Sequence, residues 1–432
     1  MEIAEITALM GAAIVVLMML GMPLVFVTGA VAVVTLLLGF GPNGLPLISS
    51  RIYALVNNYV LVAVPMFILM ASILERAGIA RDLYDAMHVW AGRVRGGVAL
   101  QTMVAAVLMA SMTGIVGGEV VLLGLVALPQ MLRLGYDRKL AIGTICAGGA
   151  MGAMIPPSLV LIVYGLTANV SIGDLFLASV GPGLMLAGLY LGYIALRCRL
   201  DPTLGPVAAE LDGMPLREKL GQLRKLVLPV AVAVAVLGSI YAGIASVSEA
   251  AAVGVAGAML SAWARGRLNL DMLWQASLQT MRTCGMILWL TFGAAALIGV
   301  YGLIGGTRFV SDLMTNLPIS PLGVIAVMML IVFVLGTVMD WIGICLLTMP
   351  IFVPIVAQLG FDPIWFGVLF SLNVQAAYLS PPFGPAAFFL KGVAPPDVTL
   401  QEIFAALLPF IGLQLVALGL LLFFPRIALW LV

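Results

Sequence analysis

An all-α, polytopic membrane protein built from two inverted-topology repeats is the fold class this sequence predicts, and three observations predict it. The chain is dominated by apolar residues and poor in charge. Its two halves carry the same landmarks at a constant offset. Matched loops in the two halves differ sharply in basic residues.

Of 432 residues, 63% are hydrophobic and 9% charged, with mean hydropathy +1.19. Soluble domains carry about 25% charged residues, so most of this surface faces lipid. A helix needs ~20 apolar residues to span the hydrocarbon core, and the stretches from Ala8 to Phe40 and from Val227 to Ala264 exceed that. Short alternating segments of the kind that build a transmembrane β-barrel are absent from the sequence. A net charge of +1 leaves no basic field for nucleic acid. Cys146, Cys198, Cys284, Cys345 and the single histidine, His88, lack metal-ligand spacing, so no cofactor is expected. Glu2 and Glu5 stand where a signal peptide would be basic, and the first apolar stretch reads as a retained anchor.

One hydrophilic stretch divides the chain. Residues 197–226 hold Arg197, Arg199, Asp201, Glu210, Asp212, Arg217, Glu218, Lys219, Arg224 and Lys225. They separate a first repeat, 1–196, from a second, 227–432. Leu134-Gly135-Tyr136-Asp137 returns as Leu359-Gly360-Phe361-Asp362, an offset of 225 that also relates Pro129 to Pro354 and Pro156-Pro157 to Pro381-Pro382. A gap-free series of landmarks indicates duplication. Arg133, Arg138 and Lys139 surround the first copy of that turn, whereas Pro363-Ile364 follow the second; Arg76, Arg81, Arg93 and Arg95 likewise contrast with Arg308 alone. Lys and Arg concentrate on cytoplasmic loops. Equivalent loops are therefore expected on opposite sides, with the linker cytoplasmic, as in secondary transporters whose site lies near the midplane.

Two kinds of segment interrupt the helical pattern. About 97–128 and 322–353 are apolar but carry polar, glycine-containing centres, Ser111 to Glu119 and Gly336 to Gly343. Each is expected to be a hairpin that enters the membrane and turns back. About 140–168 and 364–390 contain the Pro-Pro pairs, which must break their helices because Pro lacks an N–H and expels its predecessor from the α region. Freed carbonyls at such breaks suit cations, and the following helix N-terminus suits anions. Ser111, Thr113, Gly114, Gly117, Glu119, Pro156, Pro157 and Ser158 are the candidates at the substrate and hairpin tip. Asp340, Thr337, Thr348 and Asn373, with Ser380, Pro381, Pro382 and Gly384 at the second break, are the candidates for sodium, a hard cation that prefers oxygen. Intramembrane carboxylates are functional by default. Glu119, whose repeat counterpart is Ile344, could contact substrate, carry a proton or pair with Arg282 or Lys391. Glu249 and Asp174 read as helix-start caps.

At these residues the sequence resembles the large membrane subunit of tripartite ATP-independent periplasmic (TRAP) transporters. The resemblance rests on Leu20-Gly21-Met22-Pro23, Val64-Pro65-Met66-Phe67, Gly78-Ile79-Ala80, Gly92-Arg93-Val94-Arg95-Gly96-Gly97, Gly135-Tyr136-Asp137, Ile155-Pro156-Pro157-Ser158, Ser248-Glu249-Ala250-Ala251-Ala252-Val253-Gly254 and Ser380-Pro381-Pro382, and it covers essentially the whole chain. It implies a sodium-driven elevator of the broad ion-transporter superfamily, with sodium as coupling ion and a small organic acid as substrate. It also implies a separate small four-helix membrane subunit, a periplasmic substrate-binding protein and a bacterial inner-membrane location. The first tip departs from the family's Ser- or Ala-rich pattern at Gly117-Gly118-Glu119, and Gly148-Gly149 stand where Ser or Thr is frequent before the first Pro-Pro. Competing readings are a stand-alone sodium-coupled carboxylate or arsenite carrier, an ion channel, and an intramembrane protease. The last lacks a serine motif near His88.

Overall fold

The computed structural model describes residues 2–88, 90, 92, 94–114, 117–207 and 216–432. Arg93, the tip residues Ile115 and Val116, and positions 208–215 of the linker lie outside the described residues. The first part of the chain forms α1 (Ile3–Met19), α2 (Leu24–Phe40), α3 (Leu45–Val56), α4 (Ala63–Arg76) and α5 (Ile79–His88). Then follow α6 (Gly97–Thr113), α7 (Gly118–Arg133), α8 (Arg138–Gly149), α9 (Leu159–Ala168) and α10 (Ile172–Leu200). Beyond the linker come α11 (Leu216–Tyr241), α12 (Val247–Ala264), α13 (Leu270–Leu303), α14 (Gly306–Thr315) and α15 (Pro321–Gly336). The chain ends with α16 (Trp341–Gln358), α17 (Pro363–Leu379), α18 (Pro385–Lys391), α19 (Leu400–Phe423) and the short α20 (Arg426–Leu429). No strand occurs among the described residues.

Six described helices, among them Ile172–Leu200, Leu270–Leu303 and Leu400–Phe423, are long and apolar enough to cross a membrane. Large apolar side chains such as Leu270, Trp263 and Met281 stand exposed on them, as lipid-facing residues do. The chain is a multi-pass membrane protein.

The repeated Leu-Gly-aromatic-Asp motif is helix punctuation. Gly135 and Gly360 both adopt φ +81, a left-handed conformation that glycine enters without a Cβ penalty. The amides of Tyr136 and Gly135 bond to Met131 O and Leu132 O at 3.0 and 3.1 Å, and those of Phe361 and Gly360 to Val356 O and Ala357 O at 3.0 and 3.1 Å. These are the paired bonds of a Schellman ending. Two residues later Asp137 Oδ1 accepts from Leu140 N at 2.9 Å and Asp362 Oδ1 from Ile364 N at 2.7 Å, starting α8 and α17. The aromatic residues differ in use: Tyr136 Oη accepts the orphan amide of Val98 in the first turn of α6 at 3.1 Å, while Phe361 packs on Trp365.

Helices α2, α3, α4 and α16 lie against α13, and α12 packs on α4 and α11. A second group forms around α8 and α17, with α6, α7 and α19 on α8, and α9, α10, α15 and α19 on α17. Helix α9 meets α16, and α4 meets α6, where the groups touch. The linker starts later than its charge pattern suggests, because α10 continues to Leu200. Its first residues then close over the α6–α7 base: Gly96 N donates to Gly205 O at 2.8 Å and Asp137 N to Leu204 O at 3.0 Å. Charged pairs tie the loops nearby. Asp82 meets Arg265 and, at 3.6 Å, Arg267, while Arg138 meets Asp397 at 2.8 Å and Glu402 at 3.3 Å.

Candidate functional site

Each expected break lies between two described helices. Helix α8 stops at Gly149, a single 3₁₀ turn and a cis Pro156-Pro157 bond follow, and α9 begins at Leu159. Helix α17 stops at Leu379, and a cis Pro381-Pro382 bond precedes α18. The two interrupted helix pairs sit beside these breaks. Helices α7 and α16 run about a turn beyond the ends expected at 128 and 353.

The first tip and the first break are joined backbone to backbone. Gly114 has φ +59, and a Cβ there would lie 1.9 Å from Pro157 O. Its own carbonyl accepts from Leu159 N at 3.3 Å, satisfying one of the amides that start α9. On the other side of the tip, a Cβ at Gly117 would lie 2.9 Å from the Phe389 ring of α18. Gly149 lets α8 approach α7, since a Cβ there would come within 2.5 Å of Val120 Cγ2. The unusual glycines before the break thus serve close helix contact. Ser158 Oγ and Ser371 Oγ both donate to Ala153 O at 2.5 Å, so α17 clasps the break of the other half. Gln375 Nε2 reaches Met151 Sδ at 3.4 Å.

Glu119, in the first turn of α7, is 2% exposed. Its Oε1 accepts from Thr113, which closes the tip, and its Oε2 has no partner among the described residues. The expected cationic partners are elsewhere. Lys391 donates to Val398 O at 2.7 Å, capping carbonyls beyond its own helix, and Arg282 is exposed on α13. The charged group acting on Glu119 is another carboxylate, Glu75 at the end of α4, whose Oε1 lies 3.5 Å from where a Gly118 Cβ would be. Arg76 beside it turns to Gln279 at 2.8 Å.

At the second tip Asp340 is the N-cap of α16, and Oδ2 accepts from Ile342 N at 3.1 Å. It shares a small cavity with Gly336, Tyr378, Phe383 and Pro385, which places it beside the second break. Gly336 permits that approach, because its Cβ would lie 2.4 Å from Ala377 Cβ. Thr337, Thr348 and Ser380 donate their hydroxyl protons to Val334, Ile344 and Ala376 carbonyls on their own helices, at 2.7, 2.7 and 2.8 Å. Asn373 Nδ2 bonds to Met329 O at 2.6 Å and leaves Oδ1 buried, without a partner among the described residues. Of the expected sodium set, Asp340 lines this cavity, which meets the second break through Phe383 and Pro385; Thr337, Thr348, Asn373, Ser380, Pro381, Pro382 and Gly384 do not line it. Ser111 bonds to Leu108 O at 2.7 Å and lines a small cavity with Pro157. Glu249 closes a capping box with Ser246, and Asp174 occupies the first turn of α10.

Sequence reasoning missed Ser371, Gln375 and Glu75. The first two are legible as polar, oxygen-bearing residues in the mostly apolar α17, on the same ground as Asn373. Glu75 carries no such signal, since it ends its helix beside Arg76.

A family model described as the tripartite ATP-independent periplasmic transporter, DctM component, matches residues 12–427. The C4-dicarboxylate TRAP transporter large permease protein DctM of Pseudomonas aeruginosa is 30% identical over 93% of this chain and 92% of its own length. The ectoine TRAP transporter large permease protein TeaC of Halomonas elongata is 28% identical over 98% of each. The isethionate TRAP transporter permease protein DctMQ of Oleidesulfovibrio alaskensis is 25% identical over 96% of this chain and 64% of its own. In fold, the chain is similar to the MtrF pump of Neisseria gonorrhoeae (TM-score 0.67, 14% identity, 89% of this chain and 85% of that one). It is also similar to the YdaH transporter of Alcanivorax borkumensis (TM-score 0.63, 16% identity, 89% and 90%). The relatives are transport components, not enzymes. With residues 12–427 matched, this chain belongs to the DctM family, the large permease components of TRAP transporters.

Proposed function

We propose that this permease imports a small organic acid across the bacterial inner membrane on the sodium gradient, by an elevator movement. A periplasmic binding protein delivers the solute, and a separate small four-helix membrane subunit stands beside the permease. The observation that carries the reading is the seating of each helix-pair tip on a Pro-Pro break: Gly114 on Pro157 and Leu159, Asp340 beside Phe383 and Pro385. Backbone freed at membrane depth persists where it is covered by protein or lines a solute path. Buried oxygens on Asn373 and Gln375 that have no partner among the described residues add acceptors of the type a hard cation takes. A solute bearing an acidic group is supported by the relatives, whose named substrates (C4-dicarboxylates, ectoine and isethionate) each carry a carboxylate or sulfonate, although ectoine is a net-neutral zwitterion. The repeats are 1–196 and 227–432, joined by the cytoplasmic linker 197–226. The linker's contact with the α6–α7 base supports this arrangement. So does the bond from Tyr164 Oη to Pro363 O at 2.6 Å, which ties the start of α17 to α9.

Uptake into proteoliposomes, with and without sodium and with and without the partner proteins, tests the reading. Sodium-independent uptake would remove the coupling. Uptake that needs no binding protein would favour a stand-alone carrier. Cysteines replacing Lys139 and Pro363 should react with an impermeant thiol reagent from opposite sides of the membrane; reaction from one side would remove the inverted repeat.

A further inference from the structure

A cavity of about 870 Å³ lies between α3 and α13 on one side and α9 and α16 on the other, a volume typical of small-molecule sites. Arg51 is its charged lining side chain, and no carboxylate lines it among the described residues. Arg51 takes part in no ion pair or hydrogen bond with a described residue. Its stem lies along α13, where a Cβ on Gly299 would come within 3.3 Å of Arg51 Cγ. Glycine at that position admits the side chain into the cavity. Asn58 spends Oδ1 on Val60 N at 3.1 Å, so its amide N–H groups are the unspent end. Asn169 lines the same wall at the end of α9. Thr291 gives its proton to Ile287 O at 2.6 Å and presents an acceptor about 12 Å from Gly299 along α13. The polar lining is thus the Arg51 guanidinium and the Asn58 and Asn169 amides, together with the hydroxyls of Thr167, Thr291 and Thr307.

We propose that this cavity is an anion-receiving vestibule in which Arg51 captures the carboxylate or sulfonate group of the solute ahead of the tips. The chemistry is that of a guanidinium facing a planar or tetrahedral oxyanion, for which its fork of donors is suited. A single uncompensated cation in a cavity walled by apolar helices raises the local concentration of anions. The proposal rests on the transport reading for the solute's acidic group and for the direction of entry. Its competitor is a lipid phosphate held by the same guanidinium, the usual fate of an arginine near a membrane surface.

The test is charge-selective labelling of the full chain. Ala54→Cys lies one turn from Arg51 on α3 and lines the same cavity, whereas Cys146, Cys198 and Cys345 are buried and Cys284 half-buried. The native protein supplies the background rate. Anionic methanethiosulfonate ethylsulfonate should react with Ala54→Cys at least about threefold faster, relative to the cationic trimethylammonium reagent, than with a free thiol. Arg51→Gln should abolish that preference and Arg51→Lys should retain most of it, with gel filtration verifying that both variants fold. A preference unchanged in Arg51→Gln would overturn the proposal. So would labelling that occurs in detergent but is blocked in nanodiscs containing phosphatidylglycerol, which would give the cavity to lipid. Because the labelling requires neither sodium nor partner proteins, its failure is distinguishable from a failure of sodium-driven uptake.

Discussion

The two tips occupy equivalent places along the chain, yet their acids are used in opposite ways. Asp340 spends its carboxylate on backbone, capping α16 through Ile342 N at 3.1 Å. Glu119 sits inside the first turn of α7, takes one bond from Thr113 and keeps an oxygen with no partner among the described residues, in the field of Glu75. What recurs at the offset of 225 is backbone punctuation: the Gly-aromatic-Asp turn and the cis Pro-Pro break. The side chains placed on that framework have diverged. A duplicated framework can thus assign one tip to a capping acid and the other to an uncompensated one.

Glycine substitutions at the tips probe that framework most severely. Gly114→Ala puts a Cβ 1.9 Å from the Pro157 carbonyl at a backbone with φ +59, and neither partner can rotate away. Left-handed strain and overpacking together should cost about 3 kcal/mol or more. Gly336→Ala meets a side-chain methyl, Ala377 Cβ, at 2.4 Å from within a helix, and should cost about 1–3 kcal/mol. Melting of the detergent-solubilised variants measures both. An equal or reversed order would break the view that the first tip is the more tightly bound to its break.

Asp340→Asn should come next in size. Asn keeps an oxygen for Ile342 N, so the cap survives, whereas Asp340→Ala loses it at about 1 kcal/mol. If Asp340 also serves the cation, Asn should raise the half-saturating sodium concentration severalfold with little change in melting. An unchanged sodium dependence would confine Asp340 to capping and leave carbonyls near Pro381-Pro382 as the cation ligands.

Much of the backbone is legible in the sequence, because glycine at positive φ, Pro-Pro and Asp caps are local signals whose effect does not depend on what surrounds them. Glu119's surroundings are not. Helices that are apolar on all faces carry no amphipathic stripe from which to read direction, so by sequence Arg282 and Lys391 are as available as any cation. Lys391 instead satisfies Val398 O, and Arg282 faces outward. Thr337 and Thr348 qualify as oxygen ligands by residue type, but hydroxyls on helices readily bond to their own preceding turn, as both do here. The linker's charges mark its place but not the extension of α10 into it.

Glu119→Gln sharpens the comparison with a smaller effect of definite sign. With a cation as partner, the change would strand a buried charge at a cost of about 3–5 kcal/mol. The group facing it is Glu75, so removing the charge should leave melting unchanged or raise it by a few degrees, with the Thr113 bond retained. Earlier melting of Glu119→Gln would mean that an unseen cation compensates this site.

The smallest expected effect lies at the outer supports of the two helix pairs. Helix α5 reaches α7 through His88 and Gln130, while α14 reaches α16 through Ser311 and Gln358 at 3.0 Å. One support carries a titratable ring and the other does not. Burial holds the His88 imidazole below its ordinary value, since desolvation disfavours the charged ring. The sign follows from linkage: the unfolded chain binds the proton more readily, so stability is full above the ordinary histidine value and falls as pH drops below it. His88 is partly exposed, so the loss should be modest, a melting decline of a few degrees as the pH falls below the ordinary histidine value of about 6.5, with a slope below one proton. His88→Gln should flatten that part of the profile. Ser311→Ala should lower melting by a similar small amount at every pH, because its hydroxyl carries no charge in this range. If Ser311→Ala changed the pH slope and His88→Gln did not, the titrating support would belong to the other half.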